Sequence, residues 1–239
     1  MERTDGRSAG QIRTVRCERG LLTRADGSAQ WTQGGTSCLA SVTGPTQSYA
    51  SSKEDAERAT VDVVFRPRSG LAGAQERQHE AVIRRACEAV IVAALHPRAL
   101  IQVVVQVVSD DGGVLACALN AACAALLDAA VPLRTLCAAV SAAQAEADGG
   151  LLLDPTAAEE AAAAATATFA FLPLLAGGGG GGQDGTGSSD GLQLLTSQTR
   201  GRLSTDQLLD MMEAAKQGAD RLAAFMQQSA RQAAGPLAQ

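Results

Sequence analysis

The amino-acid sequence predicts an α+β fold within a single domain. Segments with a two-residue alternation and segments with a helical period occur in the order strands, helix, strand, helix, strands, helix. Hydrophobic residues make up 46% of the 239 residues, but aromatic residues only 3%, so Ala, Val and Leu must build the core. We predict a domain over residues 12–232, a disordered tail over 1–11 and a flexible tail over 233–239.

The segment after residue 12 is predicted to form antiparallel strands. Turn signals at Arg24-Ala-Asp-Gly-Ser28 and Gly34-Gly35 separate strand-like stretches that end at Gly44-Pro45. Two or three strands are therefore expected here. The stretch Thr60–Phe65 alternates and is rich in β-branched residues, which predicts a further strand.

Helical periodicity begins after this strand. Apolar residues recur at helical spacing from Glu76 to Leu95, and His96-Pro97 is predicted to end that helix. Leu100–Val108 is rich in Val and is expected to be a strand. Leu115–Leu127 is apolar on every side except at Asn120, which predicts a central buried helix.

The remainder of the chain predicts strands followed by one long helix. Thr135–Ala143 and Leu151–Leu153 are expected to pair, whereas Ala161–Phe171 is ambiguous because its alanines favour helix and its Thr and Phe residues favour strand. The Gly-rich residues 177–191 predict a flexible surface loop. Gln193–Thr196 is expected to be a short strand. Ser204 begins a capping box that predicts a helix to about residue 232.

Composition excludes several classes of protein. The net charge is −5, although basic residues outnumber acidic ones in the first hundred residues, where any phosphate-contacting surface is expected. The six cysteines form no C-x-x-C pair, and with only His79 and His96 they predict no zinc site. The cysteines and both histidines are expected to be structural. No membrane span is predicted, because the longest apolar run, Ala161–Ala176, is short and is interrupted by Pro173. No secretory signal is predicted, because the first residues contain no apolar segment.

Several motifs, in order, resemble the RNase PH-like family. The N-terminal signature is Gly27-Ser-Ala29, then Gly34-Gly-Thr-Ser-Cys-Leu-Ala40, and then a strand that closes on Gly44-Pro45. Further along the chain, Leu95-His-Pro-Arg98, Gln106-Val-Val-Ser-Asp-Asp-Gly112 and Leu119-Asn-Ala-Ala-Cys-Ala124 are similar to ring subunits of the eukaryotic RNA exosome in this family. The resemblance runs from about residue 12 to residue 225.

The resemblance implies a β-α-β topology like that of ribosomal protein S5 domain 2, within the RNase PH-like fold. It also implies a place in a ring of related subunits around a channel that guides single-stranded RNA. The implied partners are other RNase PH-like ring subunits, cap subunits and an associated nuclease. The implied locations are the nucleus, the nucleolus and the cytoplasm, and the implied work is 3′–5′ RNA processing and degradation, including ribosomal RNA maturation.

Active members of the family degrade RNA by phosphorolysis, and the resemblance locates their phosphate site at the start of the central helix. There a hydroxyl and a guanidinium join the helix N-terminus in binding phosphate. The matching positions here are Val114 and Leu115, which offer neither group, and Asp110 and Asp111 add negative charge nearby. We therefore expect a non-catalytic subunit with no cofactor and no metal.

Active members also carry an acidic pair with five residues between its two members, and the matching positions in this chain are Asp154 and Glu160. They are degenerate remnants of a catalytic set if the phosphate site is lost, and Thr156-x-x-Glu159 is also a capping-box pattern. The alternative is a residual phosphorolytic or metal-dependent 3′–5′ exoribonuclease that uses Asp154 and Glu160.

Five arginines are candidates for contact with the RNA backbone. Arg84 and Arg85 match positions where the family places such arginines, and the others flank a loop that the resemblance directs toward the channel; these are Arg66, Arg68 and Arg77. A solvated helix face is an equally good interpretation of exposed arginines. A homodimer with a role outside the ring is a third, weaker hypothesis for the whole chain.

Overall fold

The computed structural model describes residues 3, 5–47, 55–145, 150–173 and 191–233. Within them it contains nine strands and four helices. The strands are β1 (Val15–Arg19), β2 (Gly27–Gln33), β3 (Thr36–Gln47), β4 (Thr60–Arg66), β5 (Ala99–Ser109), β6 (Ala138–Ala145), β7 (Leu151–Leu153), β8 (Ala163–Pro173) and β9 (Leu192–Gly201). The helices are α1 (Ala74–Val90), α2 (Val114–Asp128), α3 (Ala157–Ala161) and α4 (Thr205–Ala233).

The strands form two sheets, which confirms the α+β prediction. The first has five strands in the order β1-β2-β3-β5-β4, and the second has four in the order β7-β6-β8-β9. All pairs are antiparallel except β4 with β5, which are parallel. A parallel pair needs a crossover connection, and α1 supplies it.

Helix α2 lies between the two sheets, as its uniformly apolar sequence predicts. It contacts β2 and β3 of the first sheet and β6 of the second. Asn120, its one polar residue in the middle of the helix, is fully buried. The Asn120 Nδ2–H donates to the Ala139 carbonyl oxygen at 2.9 Å, and the Ala139 N–H donates to Asn120 Oδ1 at 2.8 Å. The side chain therefore joins α2 to β6 through two hydrogen bonds.

Helix α4 covers the second sheet and contacts β6, β7 and β8. Its buried stripe recurs at helical spacing and includes Met211, Ala215 and Leu222. The predicted capping box is present, because the Gln207 N–H donates to Ser204 Oγ and the Ser204 N–H donates to Gln207 Oε1. The Phe225 ring meets the buried Trp31 ring of β2 edge-on, with centroids 5.7 Å apart.

Helix α1 ends earlier than the sequence predicts. The last helical residue is Val90, not Leu95, and residues 93–95 form a separate 3₁₀ turn. The reason is pairing with a distant segment: the Val92 N–H donates to the Pro132 carbonyl oxygen, and the Arg134 N–H donates to the Val90 carbonyl oxygen. These tertiary bonds replace the next helical turn, so the predicted stop at His96-Pro97 is wrong.

Other boundaries also differ from the prediction. The ambiguous stretch Ala161–Phe171 divides into the end of α3 and most of β8. The predicted short strand Gln193–Thr196 is part of the ten-residue β9, because its pairing with β8 continues to Gly201. Strand β6 begins at Ala138 rather than at residue 135. The predicted Gly-rich loop, except for Gly191, lies outside the described residues.

Residues 3 and 5–11 are tied to the domain by hydrogen bonds, although all of them except Arg3 and Arg7 are exposed. This differs from the predicted disordered tail over 1–11 for the part that is described. Arg3 makes a two-point ion pair with Glu159 of α3, with both nitrogen–oxygen distances at 2.9 Å. Arg3 also donates to the Leu153 carbonyl oxygen at 2.8 Å. A composition rich in polar residues predicts exposure, but here the arginines find buried acceptors about 150 residues away in sequence.

Candidate functional site

The first predicted acidic residue, Asp154, is held in a buried ion pair with Arg13. The Arg13 backbone N–H and Nε–H donate to Asp154 Oδ2 at 2.8 and 2.9 Å, and the Nη2–H donates to Oδ1 at 2.7 Å. Asp154 is 1% exposed, and its backbone is in the left-handed region with φ of 50°. Both of its carboxylate oxygens therefore already accept hydrogen bonds from a cation inside the protein.

Arg13 also connects the turn before α3 to the turn before α2. Its Nη1–H donates to the Asp111 carbonyl oxygen at 2.7 Å, and its Nη2–H donates to the Gly112 carbonyl oxygen at 3.1 Å. Burial alone would lower the pKa of Arg13, but the hydrogen bond and charge of Asp154 raise it. The guanidinium thus holds the turn before α2 and the turn before α3 together. Its N–H groups donate to Asp154 and to backbone carbonyl oxygens of the protein itself.

The start of α2 offers only backbone donors to a ligand. Gly112 and Gly113 have φ of 84° and 67°, which suits glycine, and Gly113 caps the helix. A Cβ on Gly112 would lie 2.7 Å from backbone atoms of the turn before α3, so the two turns are in close contact. Val114 is half-buried and Leu115 is buried. As the sequence indicates, neither side chain can donate a hydrogen bond to phosphate.

The second predicted acidic residue, Glu160, accepts a hydrogen bond from the start of α2. The Gly113 N–H donates to Glu160 Oε1 at 2.8 Å. Burial raises the pKa of Glu160, the Gly113 hydrogen bond acts in the opposite direction, and the charge of nearby Asp110 raises the pKa further. The two acidic residues therefore have different surroundings. Asp154 is held in a buried ion pair with Arg13, whereas Glu160 faces an open cleft.

This cleft consists of two adjoining cavities of about 170 and 490 Å³. The residues common to both linings are Asp110, Glu160, Thr166 and Arg200. The smaller cavity is also lined by Gln75 and His79 of α1, by Gly113, Val114 and Leu115 at the start of α2, and by Thr168 and Gln198 of the second sheet. The second sheet, helix α1 and the start of α2 thus line one polar cleft.

Two buried polar atoms in the smaller cavity have no hydrogen-bond partner among the described residues. They are Nδ1 of His79 and Oε1 of Gln198. The His79 ring packs edge-on against Phe65 at 5.2 Å. Burial lowers the pKa of His79, so its imidazole is neutral at neutral pH, although the charge of Glu76 opposes that shift. His79 is thus partly structural, but it also contributes to the cleft.

The five predicted RNA-contacting arginines lie outside the lining of this cleft. Four are exposed: Arg66, Arg68, Arg77 and Arg85. Arg84 is half-buried, and its Nη2 lies 4.0 Å from Oδ1 of Asp62. Gln75 and His79 face the cleft from α1, and Arg77 is two residues from each, which places it on the opposite side of the helix.

The basic residue in the cleft is one that sequence reasoning missed, Arg200 on β9. It lies opposite Thr166 of β8, and Gln198 lies opposite Thr168, so the alternation of β9 places Arg200 and Gln198 on the same face. The signal was present in the run Gln198-Thr-Arg-Gly201, but only the pairing with β8 shows that this face meets α1 and α2.

The described part of the chain lacks the features of a metal site and of a membrane span. No group of three or more His, Cys, Asp or Glu residues there has the geometry to hold a metal ion. No helix there is long and apolar enough to cross a membrane. The six cysteines are unpaired, and five of them are buried.

Comparison with known families gives two adjoining matches. Residues 11–132 match domain 1 of the 3′ exoribonuclease family, and residues 135–218 match its domain 2. The first match contains the five-stranded sheet with α1 and α2. The second contains the four-stranded sheet and the first half of α4.

Curated relatives include plant proteins. The chain is 42% identical over 159 residues to the "Exosome complex exonuclease RRP46 homolog" of Arabidopsis thaliana, covering 66% of each protein. It is 41% identical to the rice protein of the same name, covering 66% of this chain and 65% of that one. These alignments span slightly less than two thirds of the relatives' own length.

Solved structures share the fold. The structure of rice Rrp46 superposes with a TM-score of 0.83 at 34% identity and covers 95% of this chain and 99% of that one. A subunit of an Archaeoglobus fulgidus exosome superposes with a TM-score of 0.72 at 18% identity and covers 92% of this chain and 91% of that one. At that identity, the second likeness concerns the fold alone.

Proposed function

Because the chain belongs to the 3′ exoribonuclease family, we propose that it is a non-catalytic structural and RNA-guiding subunit of the RNA exosome ring. Its work is 3′–5′ RNA processing and degradation, including ribosomal RNA maturation. Within the ring it corresponds to the ribosomal-RNA-processing subunit called exosome component 5 in vertebrates. Support comes from relatives named RRP46 homologs and from the superposition on rice Rrp46.

The observation that carries the absence of catalysis is the start of α2. Phosphorolysis requires inorganic phosphate to be held beside an anionic RNA backbone. A charged hydrogen bond contributes about 1.5–3 kcal/mol, whereas a helix dipole contributes only about 0.3–1 kcal/mol. Val114 and Leu115 supply no charged donor, and the exposed Asp110 adds repulsion nearby. The remaining backbone dipole is too weak to hold phosphate productively.

The state of Asp154 supports the same function. A metal ligand or proton donor needs a free carboxylate oxygen, and both oxygens of Asp154 accept hydrogen bonds from Arg13. Releasing the carboxylate would leave the Arg13 guanidinium buried without its partner, which is costly. Asp154 is therefore a structural remnant of the family's acidic pair.

A second candidate function is the residual 3′–5′ exoribonuclease, phosphorolytic or metal-dependent, that uses Asp154 and Glu160. One observation favours it: Glu160 faces the cleft, and burial raises its pKa, as suits a group that donates a proton. The plant relatives are also named exonucleases. Against it stands the lack of a phosphate donor at Val114 and Leu115.

The proposed partners are other RNase PH-like ring subunits, cap subunits, an associated nuclease and single-stranded RNA. The exposed arginines Arg66, Arg68, Arg77 and Arg85 are proposed to contact RNA backbone phosphates, with Arg84 beside them. The proposed locations are the nucleus, the nucleolus and the cytoplasm.

The decisive experiment incubates the purified chain with end-labelled single-stranded RNA, with and without phosphate and magnesium, and resolves the products. We expect no phosphate-dependent release of nucleoside diphosphates. Release that is lost in Glu160→Gln but retained in Glu213→Gln, which changes an exposed residue on α4, would establish the exoribonuclease instead. Gel filtration of the chain, alone and with a ring partner, separates the ring subunit from the homodimer hypothesis.

A further inference from the structure

The β1–β2 loop, which connects these two strands, is anchored to the domain at both of its ends. The Gly20 N–H donates to the Ser28 carbonyl oxygen at 3.0 Å, and the Asp26 N–H donates to the Val42 carbonyl oxygen at 3.0 Å. Between these ends, the Leu22 N–H donates to Ser28 Oγ at 2.9 Å. Because hydrogen bonds constrain the loop along its length, it loses little conformational entropy when a partner binds.

Although it is anchored, the β1–β2 loop leaves apolar side chains in solvent. Leu21 and Leu22 are adjacent in sequence and are 42% and 40% exposed. Leu22 also lines an open cavity of about 410 Å³, which is bordered by the loop and by β3; the other lining residues are Thr23, Arg24, Ala25, Ser41 and Thr43. Burial of the two leucines in an interface would remove this apolar surface from water.

Arg24 gives this cavity a positive charge. It is exposed, and its guanidinium makes no ion pair or hydrogen bond with any residue that the structure describes. The other polar side chains of the lining are hydroxyls. The nearby Asp26 is outside the lining, and its Oδ2 accepts the Gly44 N–H at 2.7 Å. The cavity therefore has a cation without a carboxylate partner, so a carboxylate is the charged group that complements it.

The cavity and the polar cleft lie at opposite ends of α2. Asp128, the last residue of α2, accepts the Gly20 and Ser28 N–H groups through Oδ2 at 3.2 and 2.9 Å. The cleft is lined by residues at the start of the same helix. A helix of 15 residues is about 22 Å long. A molecule bound at the β1–β2 loop therefore does not occupy the cleft.

A protein segment fits this surface better than RNA does. Single-stranded RNA is bound by several cations that follow its backbone and by aromatic rings on which its bases stack. The lining of the cavity has one cation, Arg24, and no aromatic ring. Leu22 and Ala25 instead provide aliphatic surface, which matches an apolar side chain of a protein.

We propose that the β1–β2 loop is a docking site for a protein segment that carries an apolar side chain close to an aspartate or a glutamate. The apolar side chain packs against Leu21 and Leu22, and the carboxylate pairs with Arg24. The hydroxyl groups of Ser41 and Thr43 are available to polar groups of the segment. This inference goes beyond the proposed RNA-guiding function, because it assigns a protein partner to a surface that is separate from the cleft.

The test selects peptides from a random dodecapeptide library displayed on phage. The target is the immobilised full chain, and Leu22→Ser is the counter-selection target. We expect the enriched peptides to share an apolar residue near an acidic one. The most enriched peptide is then synthesised with a fluorophore, and anisotropy measures its affinity. Leu22→Ser and Arg24→Ala should each weaken binding by about tenfold, the loss expected for one apolar anchor or one charged contact.

A second measurement connects the carboxylate of the peptide to Arg24. An amide in place of that carboxylate should weaken binding to the wild-type chain by about tenfold. The same change should alter binding to Arg24→Ala by about twofold or less, because the contact is already lost.

Leu209→Ser and Arg202→Ala are the matched controls. They change an exposed leucine on α4 and an exposed arginine that follows β9, and both variants should bind the peptide like the wild type. Thermal unfolding checks that each variant is folded, and Leu21→Ser is a second variant at the same surface that should also weaken binding.

Several results would overturn the inference. They include a selection that enriches no peptide over the counter-selection, enriched peptides without an acidic residue, and an equal effect of the amide on the wild type and on Arg24→Ala. A dimer that Leu22→Ser converts to monomers in gel filtration would assign the surface to a second copy of the chain. Displacement of the peptide by single-stranded RNA would assign the surface to RNA.

Discussion

The guanidinium of Arg13 and the carboxylate of Asp154 form a two-point ion pair in the interior, with nitrogen–oxygen distances of 2.9 and 2.7 Å. Both side chains are nearly excluded from solvent, at 6% and 2% exposure. The pair joins the segment before β1 to the turn before α3. Asp154 matches one member of the family's acidic pair, but here its ion pair with Arg13 holds three segments together. They are the segment before β1, the turn before α2 and the turn before α3.

Replacing Asp154 should therefore damage stability. Asp154→Ala leaves a buried guanidinium without its partner, and we expect the free energy of unfolding to fall by about 3–5 kcal/mol. Urea denaturation followed by circular dichroism measures the loss. Asp210→Asn, at an exposed site on α4, is the control and should unfold like the wild type. A fully stable Asp154→Ala chain would contradict the structural role.

Asn120 should be needed to hold α2 on the second sheet. Asn120→Ala leaves the buried N–H and carbonyl of Ala139 without partners, and we expect a loss of about 1–3 kcal/mol per unsatisfied group. Asn120→Asp keeps an acceptor for the Ala139 N–H but loses the donor, so comparing the two variants in urea separates the two bonds. If Asn120→Ala is as stable as the wild type, the two hydrogen bonds contribute nothing net.

The charge of Glu160 should cost stability at neutral pH. Its folded pKa is raised by burial above the usual value of 4.5, so the folded state holds the proton more tightly than the unfolded state. The stabilisation from protonated Glu160 is complete below pH 4.5 and is lost as pH rises through the raised pKa. Glu160→Gln should thus melt at a higher temperature than the wild type at pH 7.

This difference in melting temperature should shrink toward zero as the pH approaches 4.5, the usual value for glutamate. Differential scanning calorimetry across that pH range measures it. Glu213→Gln, on the exposed face of α4, should show no such trend. A lower melting temperature for Glu160→Gln at every pH would mean that the ionised hydrogen bond to Gly113 outweighs the cost of burial.

The cysteines should be nearly inert in the folded chain. Burial raises the pKa of Cys87 to about 12 and that of Cys123 to about 11, so their reactive thiolates are scarce at neutral pH. Cys17 is the one thiol that is only half-buried. A thiol reagent at pH 8 should label Cys17 first, and Cys17→Ser should abolish the fast phase, whereas all remaining cysteines react in urea. Fast labelling of a second thiol would reveal local opening.

The exposed arginines should contribute electrostatic contacts to RNA. If Arg66 and Arg68 each contact one phosphate, each substitution by Ala should reduce the slope of log affinity against log salt concentration by about 0.7. Arg231→Ala, in the last turn of α4, is the control and should leave the slope unchanged. Anisotropy titrations at several salt concentrations measure the slopes. If the slopes of all variants equal the wild-type slope, Arg66 and Arg68 do not contact RNA phosphates and belong to a solvated surface.

Sequence reasoning succeeded where neighbouring residues decide the outcome. The capping boxes that begin at Thr156 and Ser204 were both predicted, because each depends on side chains three residues apart. The lack of side-chain donors for phosphate at the start of α2 was predictable for a related reason, because Val114 and Leu115 cannot donate hydrogen bonds from their side chains in any conformation. Asn120 is the one polar exception in the predicted buried helix, but the sequence does not indicate that its amide bonds to the backbone of Ala139.

The sequence by itself therefore determined the α+β class, the buried central helix and the missing phosphate donors, since these follow from side-chain chemistry and local periodicity. Only the tertiary structure decided that Arg13 pairs with Asp154, that Glu160 accepts the Gly113 N–H at the start of α2 and that Arg200 lines the cleft. Each of these contacts joins residues far apart in the chain. Their geometry depends on how the two sheets pack around α2, and no local pattern encodes that packing.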